Sequence, residues 1–299
     1  MKSLITGING FVGKHLANHL LGNKHDVLGF DRVGTGLPGC TVYPCDLLDN
    51  KKVNGILKKT SPDYIFHLAA QSSVMKSWSE PELTKKINVE GTKNLLESAL
   101  KHSPKAKILV VSSGEVYGIQ KEFPISEAAY LNPISPYAES RVEQENLCLK
   151  YKKLHIVISR SFQHTGPGQP DNFVCSSFAK QIAEIESKKR KVVEVGNLAP
   201  ERDFSDVRDI AKAYLLALEK CPSGIYNICS GKSHSIREIL KMLIGDKKIR
   251  IAEKGDKVRK VDIPKLVGDN SKFRNQTGWK PKIPIKRTLG DLLDYWREA

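Results

Sequence analysis

A chain of 299 residues, 40% hydrophobic and 27% charged, has the composition of a globular protein and is long enough for one large α/β unit or two modest domains. No uncharged apolar run reaches bilayer length, and the opening MKSLITGINGFVG runs straight into a strand-and-turn pattern, so a cytoplasmic protein without membrane attachment is expected. The net charge of +15 would suit nucleic acid, but the lysine clusters at 51–59, 187–192 and 245–260 lie apart with few aromatics between them, which favours a solvated surface or a field that draws in a phosphate-bearing substrate.

In chain order, the apolar run SLITG (3–7) leads into an amphipathic helix at 12–23 and a second run, DVLGFD (26–31). TVYPCD (41–46), a helix over 50–59, DYIFHLAA (63–70), a helix over 80–102, KILVVSS (107–113), a helix from 136 and HIVISRS (155–161) follow. Short buried strands alternating with amphipathic helices predict an α/β fold of Rossmann type, a doubly wound parallel sheet covered on both faces. From about 165 the alternation loosens: GPGQPDN (166–172), a helix over 173–189 and a strand at 191–196. SGIYNICSG (223–231) reads as a strand that returns to the sheet. The expected division is a dinucleotide domain, 1–164 with 203–232 returning to it, and a smaller α/β substrate domain, 165–202 with 233–299, closing a cleft over it. The cysteines at 40, 45, 148, 175, 221 and 229 make no C-x-x-C pair and have no His at finger spacing, so reduced thiols and no metal site are expected.

Two stretches carry chemistry. Gly7-Ile8-Asn9-Gly10-Phe11-Val12-Gly13 joins the first strand to the first helix with the G-x-x-G-x-x-G spacing that lets a pyrophosphate sit on a helix N-terminus. Asp31 ends the second strand at the interval expected of an acid that binds the adenosine ribose. That favours NAD, while Arg32 beside it is suited to a 2′-phosphate and leaves NADP open. The other stretch, SPYAESRVEQE (135–145), starts a helix with Ser135 as N-cap and Pro136 at the first helical position. Tyr137 and Arg141 are then four apart on one face, and a fixed cation beside a tyrosine favours the ionised phenol, which makes the pair a candidate proton donor.

With further motifs the chain resembles, over essentially its whole length, the extended short-chain dehydrogenase/reductases that act on nucleotide-sugars. These motifs are Asp46-Leu47, His67-Leu68-Ala69-Ala70, Asn88-Val89-Glu90-Gly91-Thr92 and the run from Ser112 to Gly118. Its C-terminal half is most similar to the branch that reduces GDP-4-keto-6-deoxymannose, through the run from Phe162 to Gln169, Arg202-Asp203-Phe204 with Val207 and Asp209, the run from Tyr226 to Gly231, and Thr277-Gly278-Trp279-Lys280-Pro281.

The resemblance implies that Tyr137 donates a proton to a sugar ketone, that Ser113 hydrogen-bonds the same oxygen, and that hydride comes from a nicotinamide. It assigns Gly7, Asn9, Gly10, Phe11, Val12, Asp31, Arg32, Asp46, Leu47, Leu68, Ala69, Ala70, Asn88, Tyr137 and Arg141 to the cofactor. To a nucleotide-sugar, expected to be GDP-linked, it assigns Gln71, Ser72, Ser73, Gln163, His164, Arg202 and Arg259, the last two as candidates for the diphosphate or as inter-domain ion pairs. Two positions depart from the family. Arg141 stands where the family has lysine, and Gln163 replaces the asparagine usual before His164. Glu115 occupies the position of the base in related 4,6-dehydratases, so a dehydratase or 4-epimerase with retained NAD is the alternative to a reductase, and a non-catalytic NAD-binding protein a third reading. The resemblance also implies a homodimer through the helices at about 80–102 and 136–153.

Overall fold

The computed structural model describes residues 1–255 and 262–299. Its strands in chain order are β1 (Lys2–Thr6), β2 (Asp26–Asp31), β3 (Cys40–Pro44), β4 (Tyr64–His67), β5 (Lys107–Ser113), β6 (His155–Ser161) and β7 (Gln163–Thr165). After these come β8 (Val192–Val195), β9 (Glu201–Asp206), β10 (Gly224–Ile228), β11 (Ser233–Ser235), β12 (Arg250–Glu253) and β13 (Lys265–Leu266). The helices are α1 (Phe11–Gly22), α2 (Asn50–Thr60), α3 (Val74–Ser79), α4 (Pro81–Lys85), α5 (Gly91–His102) and α6 (Pro136–Cys148). Beyond them lie α7 (Val174–Glu186), α8 (Val207–Lys220), α9 (Ile236–Ile244), α10 (Ser271–Thr277) and α11 (Ile285–Glu298).

Seven parallel strands form one sheet in the order β10-β6-β5-β4-β1-β2-β3. The two-residue period of a strand sorts its side chains between two helical layers. Leu4, Ile65, Ile108 and Ile156 share one register row, and they pack with Val53 and Leu57 of α2 and Leu95, Leu96 and Ala99 of α5. The next row, Ile5, Phe66, Leu109 and Val157, faces the other way, onto Leu16 and Leu20 of α1 and Ile210, Tyr214 and Leu218 of α8. Both faces are therefore covered, which leaves the strand ends of this sheet for a ligand.

A smaller sheet has the order β11-β9-β13, with β7 also on β9. It packs with α7, α9 and α11 around Phe178, Ile182, Phe204, Ile239 and Leu292. The segment expected to return at 203 does so a little later. Glu201–Asp206 is the middle strand of the small sheet, and the chain re-enters the large sheet through α8 and β10. Trp279 packs edge-on to Phe273, with ring centroids 5.6 Å apart, and its Nε1 donates to the Asp209 carbonyl at 3.2 Å, so it acts as packing against α8.

Candidate active site

The C-terminal ends of β1, β4 and β5 meet the starts of α1 and α6, the position where open α/β sheets bind ligands. Gly7 sits at φ +73°, and a Cβ there would lie 3.0 Å from the backbone of Ala69. A Cβ on Gly13 would lie 2.3 Å from the Gly7 carbonyl oxygen, so the turn closes only with glycine. Gly10 caps α1 without a side-chain hydrogen bond, which leaves first-turn N–H groups available to an anion. Phe11 and Val12 line the helix start, and Leu68, Ala69 and Ala70 run beside the glycines, all partly buried.

At the adenosine end, Asp31 accepts the backbone N–H of Asn9 at 3.2 Å and of Arg32 at 2.7 Å. Asn9 Nδ2 donates to the Val33 carbonyl at 2.7 Å and to Thr35 Oγ1 at 3.2 Å, tying the loop after β2 to the glycine turn. Arg32 is exposed. Exposed Asp46 accepts the N–H of Leu48 at 2.9 Å, and buried Leu47 packs against Gly91, where a Cβ would come within 2.5 Å of its side chain.

Asn88 acts on the chain itself. Its Oδ1 accepts the Gln71 N–H at 2.9 Å, and its Nδ2 donates to the Gln71 carbonyl at 3.1 Å and to Ser140 Oγ at 2.9 Å. It therefore clamps the loop after β4 to α6, from within a π-turn at Lys86–Glu90. Gln71 Nε2 is held by the Ser73 carbonyl at 3.0 Å and Thr84 Oγ1 at 2.9 Å, and Ser73 caps α3, which leaves Ser72 as the exposed member of that trio.

On α6, Ser135 Oγ accepts the Ala138 N–H at 3.2 Å and Pro136 takes the first turn, as the sequence predicts. Tyr137 is 7% exposed, and Arg141, 4% exposed, holds its guanidinium carbon 5.2 Å from the Tyr137 ring centroid. Arg141 Nη1 donates to the Val111 carbonyl at 3.0 Å and to Gln144 Oε1 at 2.8 Å, whereas its buried Nε has no hydrogen-bond partner among the described residues. Ser113 ends β5, with its Oγ accepting the Glu115 N–H at 3.2 Å. Glu115 is buried and accepts Gln163 Nε2 at 3.2 Å. An ideal Cβ at Gly114 would lie 3.2 Å from the Phe162 ring, so a larger residue would have to push that ring aside. The glycine cradle, and the Arg141 Nε that lacks an acceptor among the described residues, are compatible with a nicotinamide dinucleotide.

His164 stacks on Phe11 with ring centroids 6.3 Å apart, and its Nδ1 donates to the Phe162 carbonyl at 3.0 Å. Burial lowers its pKa and so favours the neutral ring, in which Nδ1 is the donor and Nε2 the acceptor. Gln163 Oε1 is buried without a hydrogen-bond partner among the described residues. Arg202, assigned to a diphosphate or an ion pair, donates through Nη1 to the carbonyls of Glu201 at 2.9 Å and Ile263 at 2.6 Å, and through Nη2 to Asp262 at 2.6 Å. Its neighbour Asp203 is not its partner; that carboxylate accepts from Ser230, Gly231 and Gly268. Arg259 lies outside the described residues. Among the described residues no cluster of three or more His, Cys, Asp or Glu could hold a metal ion.

Sequence reasoning missed the buried polar residues that hold α6 in place. Gln144 and Glu145 lie seven and eight residues after Tyr137, on its helix face, and Arg160 stands inside the apolar strand HIVISRS. A charge inside a buried strand demands a partner, a signal that by itself names no particular residue.

A family model for GDP-mannose 4,6 dehydratase matches residues 4–292 of the chain. The chain is 36% identical to GDP-6-deoxy-D-mannose reductase of Pseudomonas aeruginosa, over 98% of this chain and 96% of that protein. It is 34% identical to GDP-6-deoxy-D-talose 4-dehydrogenase of Aggregatibacter actinomycetemcomitans, over 93% and 92%. The solved structure of RMD from Pseudomonas aeruginosa complexed with NADPH superposes with a TM-score of 0.87 at 33% identity, covering 99% of each chain.

Proposed function

This chain belongs to the GDP-mannose 4,6 dehydratase family, and on that premise we propose that it reduces the 4-keto group of a GDP-linked 6-deoxyhexose with NAD(P)H, taking GDP-4-keto-6-deoxymannose to GDP-rhamnose. It is an NAD(P)-dependent oxidoreductase of the extended short-chain type. The observation that carries the reading is the pair of Tyr137 and Arg141 on α6, with the guanidinium carbon 5.2 Å from the ring centroid and Arg141 bonded to the Val111 carbonyl of β5, the strand that Ser113 ends.

When bound, the nicotinamide supplies the hydride. Tyr137 holds the proton destined for the carbonyl oxygen, and Ser113 Oγ donates to that same oxygen, so charge building there meets two donors. The Arg141 charge, 5.2 Å from the Tyr137 ring, stabilises the phenolate left when the proton departs. Glu115 supports the second reading, an internal redox cycle in a dehydratase or epimerase, because its buried carboxylate stands two residues from Ser113. Absorbance at 340 nm separates the two. Stoichiometric loss of NAD(P)H on adding GDP-4-keto-6-deoxymannose supports the reductase, whereas purified protein that retains NAD and consumes none overturns it.

The same proposal includes a homodimer in the cytoplasm. Exposed Met75, Trp78, Leu83, Leu100 and Leu149 lie on or beside the helical layer of α3 to α6, and covering them would remove apolar surface from water. No helix among the described residues is long and apolar enough to cross a membrane. A mass of one chain by light scattering would overturn the dimer.

A further inference from the structure

Arg141 stands where the family has lysine, and the two cations do not fill a site in the same way. Lysine offers a compact charge on a flexible stem, whereas the arginine fork is useful only in a fixed orientation. Gln144 lies three residues further along α6 and is 1% exposed. Its Oε1 takes the Arg141 Nη1 proton at 2.8 Å, and the Val111 carbonyl takes the same nitrogen at 3.0 Å. The guanidinium is thereby pinned at one end, while its buried Nε lacks an acceptor among the described residues. A buried donor with no acceptor on the chain is open to a water or to a bound molecule.

The direction of the Gln144 amide follows from its neighbours. Thr92 Oγ1 gives its one hydrogen to the Asn88 carbonyl at 2.6 Å, so every other group on that oxygen must donate. Those groups are Gln144 Nε2 at 2.7 Å and His67 Nε2 at 2.8 Å. The Gln144 nitrogen therefore faces Thr92, and its oxygen faces Arg141. With Nε2 carrying the proton, His67 Nδ1 accepts from Thr6 Oγ1 at 2.8 Å, and Thr6 Oγ1 accepts the Ala69 N–H at 3.0 Å. His67 stays neutral because burial, and then the Arg141 charge, push its pKa down to about 3. A closed run of buried hydrogen bonds thus joins the strand ends beside the glycine turn to the catalytic helix.

We propose that Gln144, oriented through Thr92, His67 and Thr6, is the positioning residue that aims the Arg141 guanidinium, so that Arg141 and Gln144 form a matched pair standing in for a single lysine. The proposal rests on the reading of this site as one for a nicotinamide dinucleotide. A lysine at 141 brings its charge to a point without needing the glutamine, so Gln144 matters in the arginine chain and is dispensable in a lysine chain.

The test is a double-mutant cycle on the full chain: wild type, Gln144→Leu, Arg141→Lys and the double variant. The readout is the NADPH dissociation constant from quenching of protein fluorescence, with a thermal melt on each protein. We expect Gln144→Leu to weaken binding about tenfold in wild type and less than about twofold in the Arg141→Lys background. An equal loss in both backgrounds would show a general packing role, and no loss in either would show no role; both results overturn the pairing. Should the leucine variant fail to fold, Gln144→Met, with its similar length, takes its place in the same cycle. Wild type that binds no dinucleotide would overturn the cofactor reading itself, an outcome distinct from binding without coupling.

Discussion

Arg160 of β6 closes on Glu145 of α6 through Nε at 3.1 Å and Nη2 at 2.7 Å, with the two side chains 5% and 3% exposed. Ser112 Oγ adds a bond to Glu145 at 2.6 Å, and Arg160 Nη1 donates to Tyr117 Oη at 3.0 Å. Tyr117 in turn donates to Asn227 Oδ1 at 2.7 Å. The helix that carries Tyr137 is thus bolted to β5, β6 and β10 beneath the site. Removing one partner leaves a buried charge unpaired, so Glu145→Gln should cost about 3–5 kcal/mol in urea unfolding. Replacing both, as Arg160→Met with Glu145→Leu, should recover most of that loss, and equal instability of single and double variants would refute this account.

Tyr137→Phe removes the phenolic proton and little else from a buried ring. The expected result is a fall in kcat of about 10²–10⁴-fold with a much smaller change in NADPH affinity, because general acid catalysis is of that size. Unaltered kcat would remove Tyr137 from the chemistry.

Cofactor choice turns on Asp31 and Arg32. Both Asp31 oxygens already accept backbone N–H groups, while the Arg32 side chain is exposed and makes no hydrogen bond or ion pair among the described residues. Arg32→Ala should weaken NADPH binding about tenfold or more and leave NADH almost unchanged, since a charged contact to a 2′-phosphate is worth about that much. Equal effects on the two cofactors would place Arg32 outside the phosphate site.

Stability should carry the signature of Asp203. Burial raises its pKa from 3.8 to about 6, against the opposing hydrogen bonds from Ser230, Gly231 and Gly268. Between those values the folded chain keeps a proton that the unfolded chain has released, so this group's contribution to stability falls as pH rises through the window and is level above it. The change is about 3 kcal/mol at 1.36 kcal/mol per pKa unit. Denaturant unfolding from pH 4 to 7 should show this component in wild type and lose it in Asp203→Asn; the same pH dependence in both proteins would contradict it.

Local patterns were legible from the residues alone. The glycine turn, the Ser135-Pro136 helix start and the Tyr137–Arg141 spacing each depend on residues within a few positions of one another, and backbone geometry then leaves little choice. Alternating apolar strands and amphipathic helices likewise imposed a sheet covered on two faces, because each strand's odd and even residues need separate apolar layers.

Other features appear only once the sheet is assembled. The resemblance made Arg202 a candidate diphosphate ligand or ion pair, and among the described residues its carboxylate partner is Asp262, sixty positions away, rather than adjacent Asp203. The resemblance assigned Asn88 to the cofactor and Gln71 to the substrate, and the fold shows in addition that their side-chain amides tie loop to helix. A polar side chain bonds to whatever the fold brings within about 3 Å, and chain spacing does not reveal that neighbour. The sequence therefore settled the α/β layering, the dinucleotide turn and the Tyr137–Arg141 spacing, which rest on short-range periodicity and backbone geometry, whereas Ser113 was assigned through the family resemblance. Tertiary structure alone decided that Gln144 faces Arg141 and that Arg160 meets Glu145, because buried polar groups must find partners and only the closed fold determines which are within reach.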